Sequence, residues 1–465
     1  MTYKEARVYL DELSKYGSVL GLDTIRGLLR ELGNPQDDLR FIHIAGTNGK
    51  GSVLAYTSTI LSEAGYRIGR YVSPTVISYL ERIQVDGAWI SEQNFAEMTS
   101  QVTDAIARLE EAGEPVPTVF EAETAIAFLY FREMKCDLVV LEAGLGGALD
   151  ATNIIKNTVC AVFSSISRDH VGVIGNTIEQ IAENKAGIIK PGCSVLSAEQ
   201  IPAVTEILKT RAAECGCSFT QASPDQALIL QSDYRGTLLS YKEFDHIHTS
   251  MAGSYQTDNL ITALEVIRAL KTLGYSIDIQ AVKDGAEHAA WPGRFTCIGE
   301  PPVFILDGAH NEDAALRLRE TMEDYFPGRK LLFIMGVFKD KDYHAIARIM
   351  CPLASFVYTV DLPDRERGLP AQELARAART YCPQVKAYTE CREVTGPCGQ
   401  EAGVLRAVTS ALQDAGPEDV ILAFGSLSYL HQVKEAYDRA VTGGSKTAAD
   451  GNITCLSEEE RGRDF

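Results

Sequence analysis

"FIHIAGTNGKGSV", residues 41–53, sets three glycines, a lysine and a serine directly behind a short apolar run. Phe41, Ile42, His43 and Ile44 predict a buried strand. Val53, Leu54, Ala55, Ile60 and Leu61 predict a helix with an apolar face. A glycine-rich loop between a strand and a helix is a place for phosphate, because backbone N–H groups converge there and the helix N-terminus adds partial positive charge. The Walker A pattern G-x-x-x-x-G-K-[ST] is not met: Gly46 lies only three residues before Gly49, and Gly51 separates Lys50 from Ser52. The chemistry survives the mismatch. Gly46, Gly49 and Gly51 admit close backbone approach. Lys50 can reach β- and γ-phosphates, and Ser52 can meet Mg²⁺. The plain alternative is a strand-to-helix turn that needs glycines for geometry alone.

Outward from the loop, short β-branched runs alternate with helical patterns. Strands are predicted at Phe41–Ile44, Ile68–Val72, Leu138–Leu141, Val159–Phe163, Val303–Leu306, Leu331–Met335, Phe356–Val360 and Val420–Phe424. Helices are predicted at Phe95–Glu111, Thr177–Ile189, Ala314–Tyr325 and Ala371–Tyr381. The alternation predicts an α/β fold of parallel sheets covered by helices on both faces. "SDYRGTLLSYKEFDHIHTSMAG" predicts a strand meander instead, and "AAWPGRF" marks the main domain boundary near residue 290. The Gly/Ser/charge-rich end reads as a tail.

Composition narrows the function classes. A length of 465 residues predicts two or three domains. A formal charge of −19 argues against a non-specific nucleic-acid binder, which needs a basic surface, but leaves room for an anionic small substrate. The N-terminal segment lacks a signal-type apolar core, and no stretch approaches the ~18 apolar residues of a membrane span. Eleven scattered cysteines, with Cys215 and Cys217 spaced C-x-C and Cys391 and Cys398 isolated, read as reduced thiols of a cytoplasmic protein.

Three further clusters carry chemistry. "LVVLEAGLGGALDATN" ends a strand in Glu142, before three glycines, Asp150 and Asn153. An acid at the C-terminal tip of a parallel strand is a position for a metal ligand, or a solvated acid at a turn. "SSISRDHVGVIGNTIEQIAENKAGIIKPG" carries Asp169 and His170, then a helix on which Lys185 shares a face with Ile178 and Ile181. Such a lysine either snorkels to water or is buried for chemistry. "VFILDGAHNEDAA" ends a strand in Asp307, Gly308, Ala309, His310 and Asn311, a ligand position or a capped turn. Two such sites in two α/β domains suggest a reaction in a cleft between them.

Taken in order, "HIAGTNGKGSV", "SPTVISYLERIQVDG", "FEAETAIAFLYF", "LEAGLGGALDATN", "DHVGVIGNTIEQIAENKAGIIKPG", "GSYQTDNLITAL", "WPGRF", "LDGAHN", "GVFKDKD" and "FGSLSYL" resemble the folylpolyglutamate synthase/dihydrofolate synthase family of the Mur ligase superfamily, over about residues 1–435. The resemblance implies a P-loop ATPase-like domain at 1–292, a Rossmann-like ligase domain at 293–440 and a tail at 441–465. It implies an ATP-dependent ligase that joins L-glutamate to a folate-type pterin carboxylate through an acyl phosphate. Gly46, Thr47, Asn48, Gly49, Lys50, Gly51 and Ser52 would hold ATP, with Asn259, Arg294, Asp307 and His310. Ser52, Ser73, Glu142, His170 and Lys185 would serve Mg²⁺, with Lys185 carbamylated; Lys50, Lys185 and His170 would be catalytic. A monovalent cation is a further implied cofactor, and a monomer is expected, with no nucleic-acid or membrane partner. The family commonly reads S-P-H-L, G-G-R-L-D-A-T-N and E-K-A-G; here Thr75, Ala148 and Asn184 stand in the His, Arg and Glu positions, and the "ISRDH" loop is atypical. The changes at 75 and 148 fall near the expected substrate site and bear on which pterin is used. A Mur-type ligase for another carboxylate and a nucleotide-binding paralogue without ligase activity are the competing readings.

Overall fold

A computed structural model describes residues 1–17, 21–169, 172–389 and 402–443. The chain forms two units. One comprises Met1–Ser232, Thr237–Ser250 and Tyr255–Ala289; the other comprises Asp233–Gly236, Met251–Ser254 and the described residues from Ala290 onward.

The first unit is built on β1 (Phe41–Ala45), β2 (Ile68–Tyr71), β3 (Ile83–Val85), β4 (Ala88–Trp89), β5 (Leu138–Glu142), β6 (Thr158–Phe163), β7 (Ser194–Ser197) and β8 (Ser218–Gln221). Their spatial order is β4-β3-β2-β5-β1-β6-β7-β8. β1 pairs in parallel with β5 on one side and β6 on the other, and all its residues are buried. A continuous apolar run is what a strand covered on both faces requires. One face carries the helices Tyr3–Leu13, Glu92–Glu111 and Val119–Glu133 over Phe41, Val139 and Leu141. Ala45, Ala161 and Phe163 pack with Ile181, Ala182, Val204 and Leu208 of the helices Ile178–Ala186 and Pro202–Glu214. The meander expected near residue 240 is a three-stranded sheet of β9 (Ala227–Asp233), β10 (Gly236–Tyr241) and β11 (Phe244–Thr249), in the order β11-β10-β9.

The second unit holds β12 (Thr296–Gly299), β13 (Val303–Leu306), β14 (Leu331–Met335), β15 (Phe356–Val360), β16 (Val385–Tyr388) and β17 (Val420–Phe424), ordered β12-β13-β17-β14-β15-β16. Every pairing in this sheet is parallel except β12 with β13.

Several sequence expectations need correction. The two large sheets have the expected parallel centres, and each adds an antiparallel edge. At one edge, Asp86 and Gly87 adopt φ of +51° and +80° and connect β3 to β4 as a tight hairpin. At the other, only Glu300–Pro302 separates β12 from β13, too short for a parallel crossover. The helix after the glycine loop starts at Lys50 and is buried on nearly every side rather than along one face. The cause is a second helix, Ile279–His288, packed so closely that a Cβ on Gly285 would meet Ile60 Cα at 2.4 Å. The helix expected to reach Ile189 stops at Ala186, and that expected to reach Tyr381 stops at Ala378. Of the expected tail, residues 444–465 lie outside the described residues, as do Cys391 and Cys398; residues 441–443 finish the helix Leu430–Gly443.

Candidate active site

The glycine loop leaves the C-terminal end of β1 and is held from below by the segment after β6. Thr47 N–H donates to Ser165 O at 2.7 Å, and Asn48 forms an isolated bridge with Ser165. Thr47 Oγ1 accepts from Ser167 N–H at 3.1 Å and donates to Ser167 O at 3.0 Å. Gly46 sits so close to this segment that a Cβ would lie 1.9 Å from Ser164 Oγ. Gly49 has φ +88°, a left-handed conformation, and its missing Cβ would lie 2.3 Å from Asn259 Oδ1. Among the described residues no side chain caps the helix that begins there. Its first N–H groups are thus presented as an anion site would present them.

Charge gathers around the loop. Lys50 Nζ donates to the carbonyls of Gly46 and Thr47 at 3.3 and 3.4 Å and lies 3.7 Å from Glu142 Oε1. Glu142 ends β5 and is buried; its Oε2 accepts from Ser73 N–H at 3.4 Å. Ser52 is buried in the first turn of the helix. Lys185 does not snorkel: it is 4% exposed, and its Nζ donates to Gly46 O at 2.7 Å. Burial, and then the neighbouring charge of Lys50, lowers the Lys185 amine to about 7, opposed by Asp169 and Asp150. Gly46, Thr47, Lys50, Gly144, Asp169 and Lys185 line one recess. His170 lies outside the described residues.

The second glycine cluster is shaped by Asp150. Its Oδ2 accepts from Leu145 N–H at 2.7 Å and its Oδ1 from Thr152 Oγ1 at 2.5 Å. Thr152 Oγ1 in turn meets His43 Nε2 at 2.9 Å. Burial, then the Lys190 charge, lowers His43 to about 3, so this ring is a neutral strut. Asn153 Nδ2 donates to the carbonyls of Ala148 and Gly187, tying the cluster to the end of the Lys185 helix. Two departures meet here: Ala148 N–H donates to Asn184 O at 2.9 Å. Thr75 lies apart from them in sequence, on the loop before Val76, Ile77 and Ser78, whose N–H groups are all received by the Glu81 carboxylate.

In the second unit, Asp307 directly follows β13 and is buried. Its Oδ2 accepts from Phe295 N–H at 2.9 Å and its Oδ1 from Ala309 N–H at 2.7 Å. That places Arg294 beside Gly308, where a Cβ would come within 3.3 Å of Arg294 Nη1. His310 Nδ1 contacts Gly308 O at 2.7 Å, and Asn311 caps the helix Glu312–Tyr325 through Ala314 N–H. Asp307 therefore shapes a turn that gathers Arg294 and His310.

Sequence reasoning missed Ser164, Ser165 and Ser167, which hold the glycine loop. Their only signal was the serine-rich run after β6.

The Mur ligase middle domain matches residues 44–267. The Mur ligase glutamate ligase domain matches residues 293–427. A P-loop α/β unit followed by that second domain defines a Mur-type ligase. The dihydrofolate synthase/folylpolyglutamate synthase of Bacillus subtilis is 32% identical over 441 residues, 93% of this chain and 98% of that one. The chain belongs to the folylpolyglutamate synthase/dihydrofolate synthase family. Folylpolyglutamate synthase of Mycobacterium tuberculosis, solved with ADP and AMPPCP, superposes with a TM-score of 0.80 at 28% identity, covering 95% of this chain and 99% of that one. Escherichia coli FolC, solved with DHPP and ADP, gives 0.80 at 27% identity, covering 95% and 98%.

Proposed function

We propose that this chain ligates L-glutamate to a folate-type carboxylate at the expense of ATP. Family membership makes it an ATP-dependent ligase. The observation that carries the reading is the convergence of Lys50, Glu142 and the buried Lys185 on the Gly46–Thr47 turn. Carboxylate activation by phosphoryl transfer needs positioned positive charge more than covalent help.

The folate carboxylate attacks the γ-phosphorus and ADP leaves, giving an acyl phosphate. The neutral amine of glutamate attacks the acyl carbon, phosphate leaves, and the amine loses a proton as the amide forms. Lys50 would move from its own loop carbonyls onto the β/γ-phosphates, while the N–H groups of Lys50, Gly51 and Ser52 in the first helical turn cradle them. Asn259, pressed against Gly49, would border the nucleotide. Arg294, Asp307 and His310 are the second unit's proposed contribution to ATP binding, with the ligase domain running over 293–440 and the ATP-binding domain over 1–292.

Ser52, Ser73 and Glu142 supply hard oxygen donors, the chemistry Mg²⁺ takes. When bound, Mg²⁺ neutralises charge on the phosphate oxygens. Lys185 as an amine supplies no oxygen. Its lowered basicity favours the neutral form that adds CO₂, and the resulting carbamate would join this donor set. His170 and a monovalent cation complete the proposed set. No helix of the described residues is long and apolar enough to cross a membrane. The described cysteines are free thiols, which supports the cytoplasm as compartment; a monomer is proposed.

The test is phosphate release from ATP with L-glutamate and either dihydropteroate or tetrahydrofolate. Release that requires both glutamate and a pterin acid is expected. Release indifferent to both, with no glutamylated product, would overturn the proposal.

A further inference from the structure

A pair of thiols meets at the N-terminal ends of β7 and β8. Cys193 directly precedes β7 and Cys217 directly precedes β8. The parallel register Ser194↔Ser218 sets the two cysteines opposite each other. Neighbouring strands lie about 4.7–4.9 Å apart, within the about 4.4–6.8 Å Cα separation that a disulfide spans. The two Sγ atoms are already 3.8 Å apart. Cys193 is buried, whereas Cys217 is half-exposed and its thiol donates to Lys190 O at 3.1 Å. Cys215, although spaced C-x-C with Cys217, donates its thiol instead to Ile189 O at 4.0 Å. Sequence spacing therefore suggests one pair and the fold builds another.

We infer that Cys193 and Cys217 form a reversible dithiol site, oxidised by a low-molecular-weight disulfide, that clamps β7 to β8. The half-exposed Cys217 makes the first attack. Its thiolate breaks the small disulfide, forming a mixed disulfide and expelling one small thiolate, which takes up the proton Cys217 gave. Burial pushes the Cys193 thiol up to about 12, so it stays protonated until it reacts as the resolving group. Its sulfur then attacks Cys217 Sγ, the Cys193–Cys217 bond forms, and the second small thiolate leaves with the Cys193 proton. Two protein thiols are oxidised and one small disulfide is reduced to two thiols.

Position decides the consequence. The glycine loop, Glu142 and Ser164 all stand at the C-terminal ends of β1, β5 and β6, which run parallel to β7 and β8. The thiol pair is at the opposite end of the same sheet. The bridge therefore ties the edge strand β8 to the sheet and leaves the phosphate loop alone. It is a clamp on the fold, and ligase turnover should not depend on it.

The test uses the full-length chain, reduced and then exposed to oxidised glutathione, with free thiols blocked by N-ethylmaleimide before digestion and mass spectrometry. No Lys or Arg separates Cys215 from Cys217, so Cys215→Ser is run in parallel to assign the partner. Expected is a peptide containing Cys193 joined to the peptide containing Cys217, in wild type and in Cys215→Ser, lost in Cys217→Ser and in Cys193→Ala, and reversed by dithiothreitol. Oxidation should raise the melting temperature of wild type but not of Cys217→Ser, with turnover unchanged. A glutathione adduct that stops at Cys217, or a bridge lost in Cys215→Ser, would overturn the inference. So would a loss of turnover on oxidation that Cys217→Ser escapes.

Discussion

Replacing Lys185 with methionine removes the amine and keeps an unbranched stem in the same buried space. The fall of the amine from its ordinary 10.5 to about 7 sets the size of the effect. At about 1.36 kcal/mol per pH unit, the folded chain holds this ammonium at a disadvantage on the order of 4–5 kcal/mol. Methionine also loses the 2.7 Å hydrogen bond to Gly46 O, a loss of about 1 kcal/mol. The net expectation is that Lys185→Met is more stable than wild type by about 3 kcal/mol at about pH 6. The advantage has a definite pH course. Below pH 7 the folded and unfolded chains both carry the charge, so the full penalty stands. Between about 7 and 10.5 the unfolded chain binds the proton more tightly than the folded one, so wild-type stability rises with pH. Above 10.5 both are neutral and the penalty is gone. The assay is denaturant unfolding in CO₂-free buffer without nucleotide, at several pH values from about 6 to about 10. A variant less stable than wild type at pH 6, or a difference that does not change with pH, would refute the reasoning.

Lys50→Ala should lower kcat by about 10²–10³, equivalent to about 2.7–4 kcal/mol of barrier, while circular dichroism and melting stay close to wild type. Gly46→Ala would push a Cβ to 1.9 Å from Ser164 Oγ. It should cost about 1–3 kcal/mol of stability as well as turnover, and adding Ser164→Ala should recover part of the stability in the same melt. Lys185→Ala should be nearly inactive, and acetate or formate should restore part of its phosphate release by standing in for the carbamate; equal inactivity across a titration of both anions would count against carbamylation.

The central strands were legible because β1, β5 and β14 are apolar runs, broken only by His43 in β1 and ended by Glu142 in β5, that a doubly covered strand requires. β7 and β8, "SVLS" and "SFTQ", were not, since four residues with polar members give no period to read. The hairpin at Asp86-Gly87 did carry a turn signal, but flanks of three and two residues hid it. Glu142 and Asp307 were readable as acids at strand ends, and Lys185 as a lysine on the Ile181 face. What they touch was not readable. The Lys185 contact with Gly46 spans 139 residues, and the closeness of Ser164 to Gly46 depends on β6 lying beside β1. The Lys50 helix misled for the same reason. Its polar positions look solvated in sequence, yet Ser52, Thr57 and Ser58 are buried, and the helix Ile279–His288 brings Gly285 against Ile60 on one side of it.

Isotope transfer tests the ligase account most directly. The pterin acid is prepared with ¹⁸O in the carboxylate and incubated with ATP, Mg²⁺ and L-glutamate. If the carboxylate attacks the γ-phosphorus, its oxygen becomes the bridging atom of the acyl phosphate and leaves with the phosphoryl group. One ¹⁸O should therefore appear in inorganic phosphate for each labelled oxygen that the amide loses. Unlabelled phosphate, released in step with glutamylated product, would contradict the mechanism.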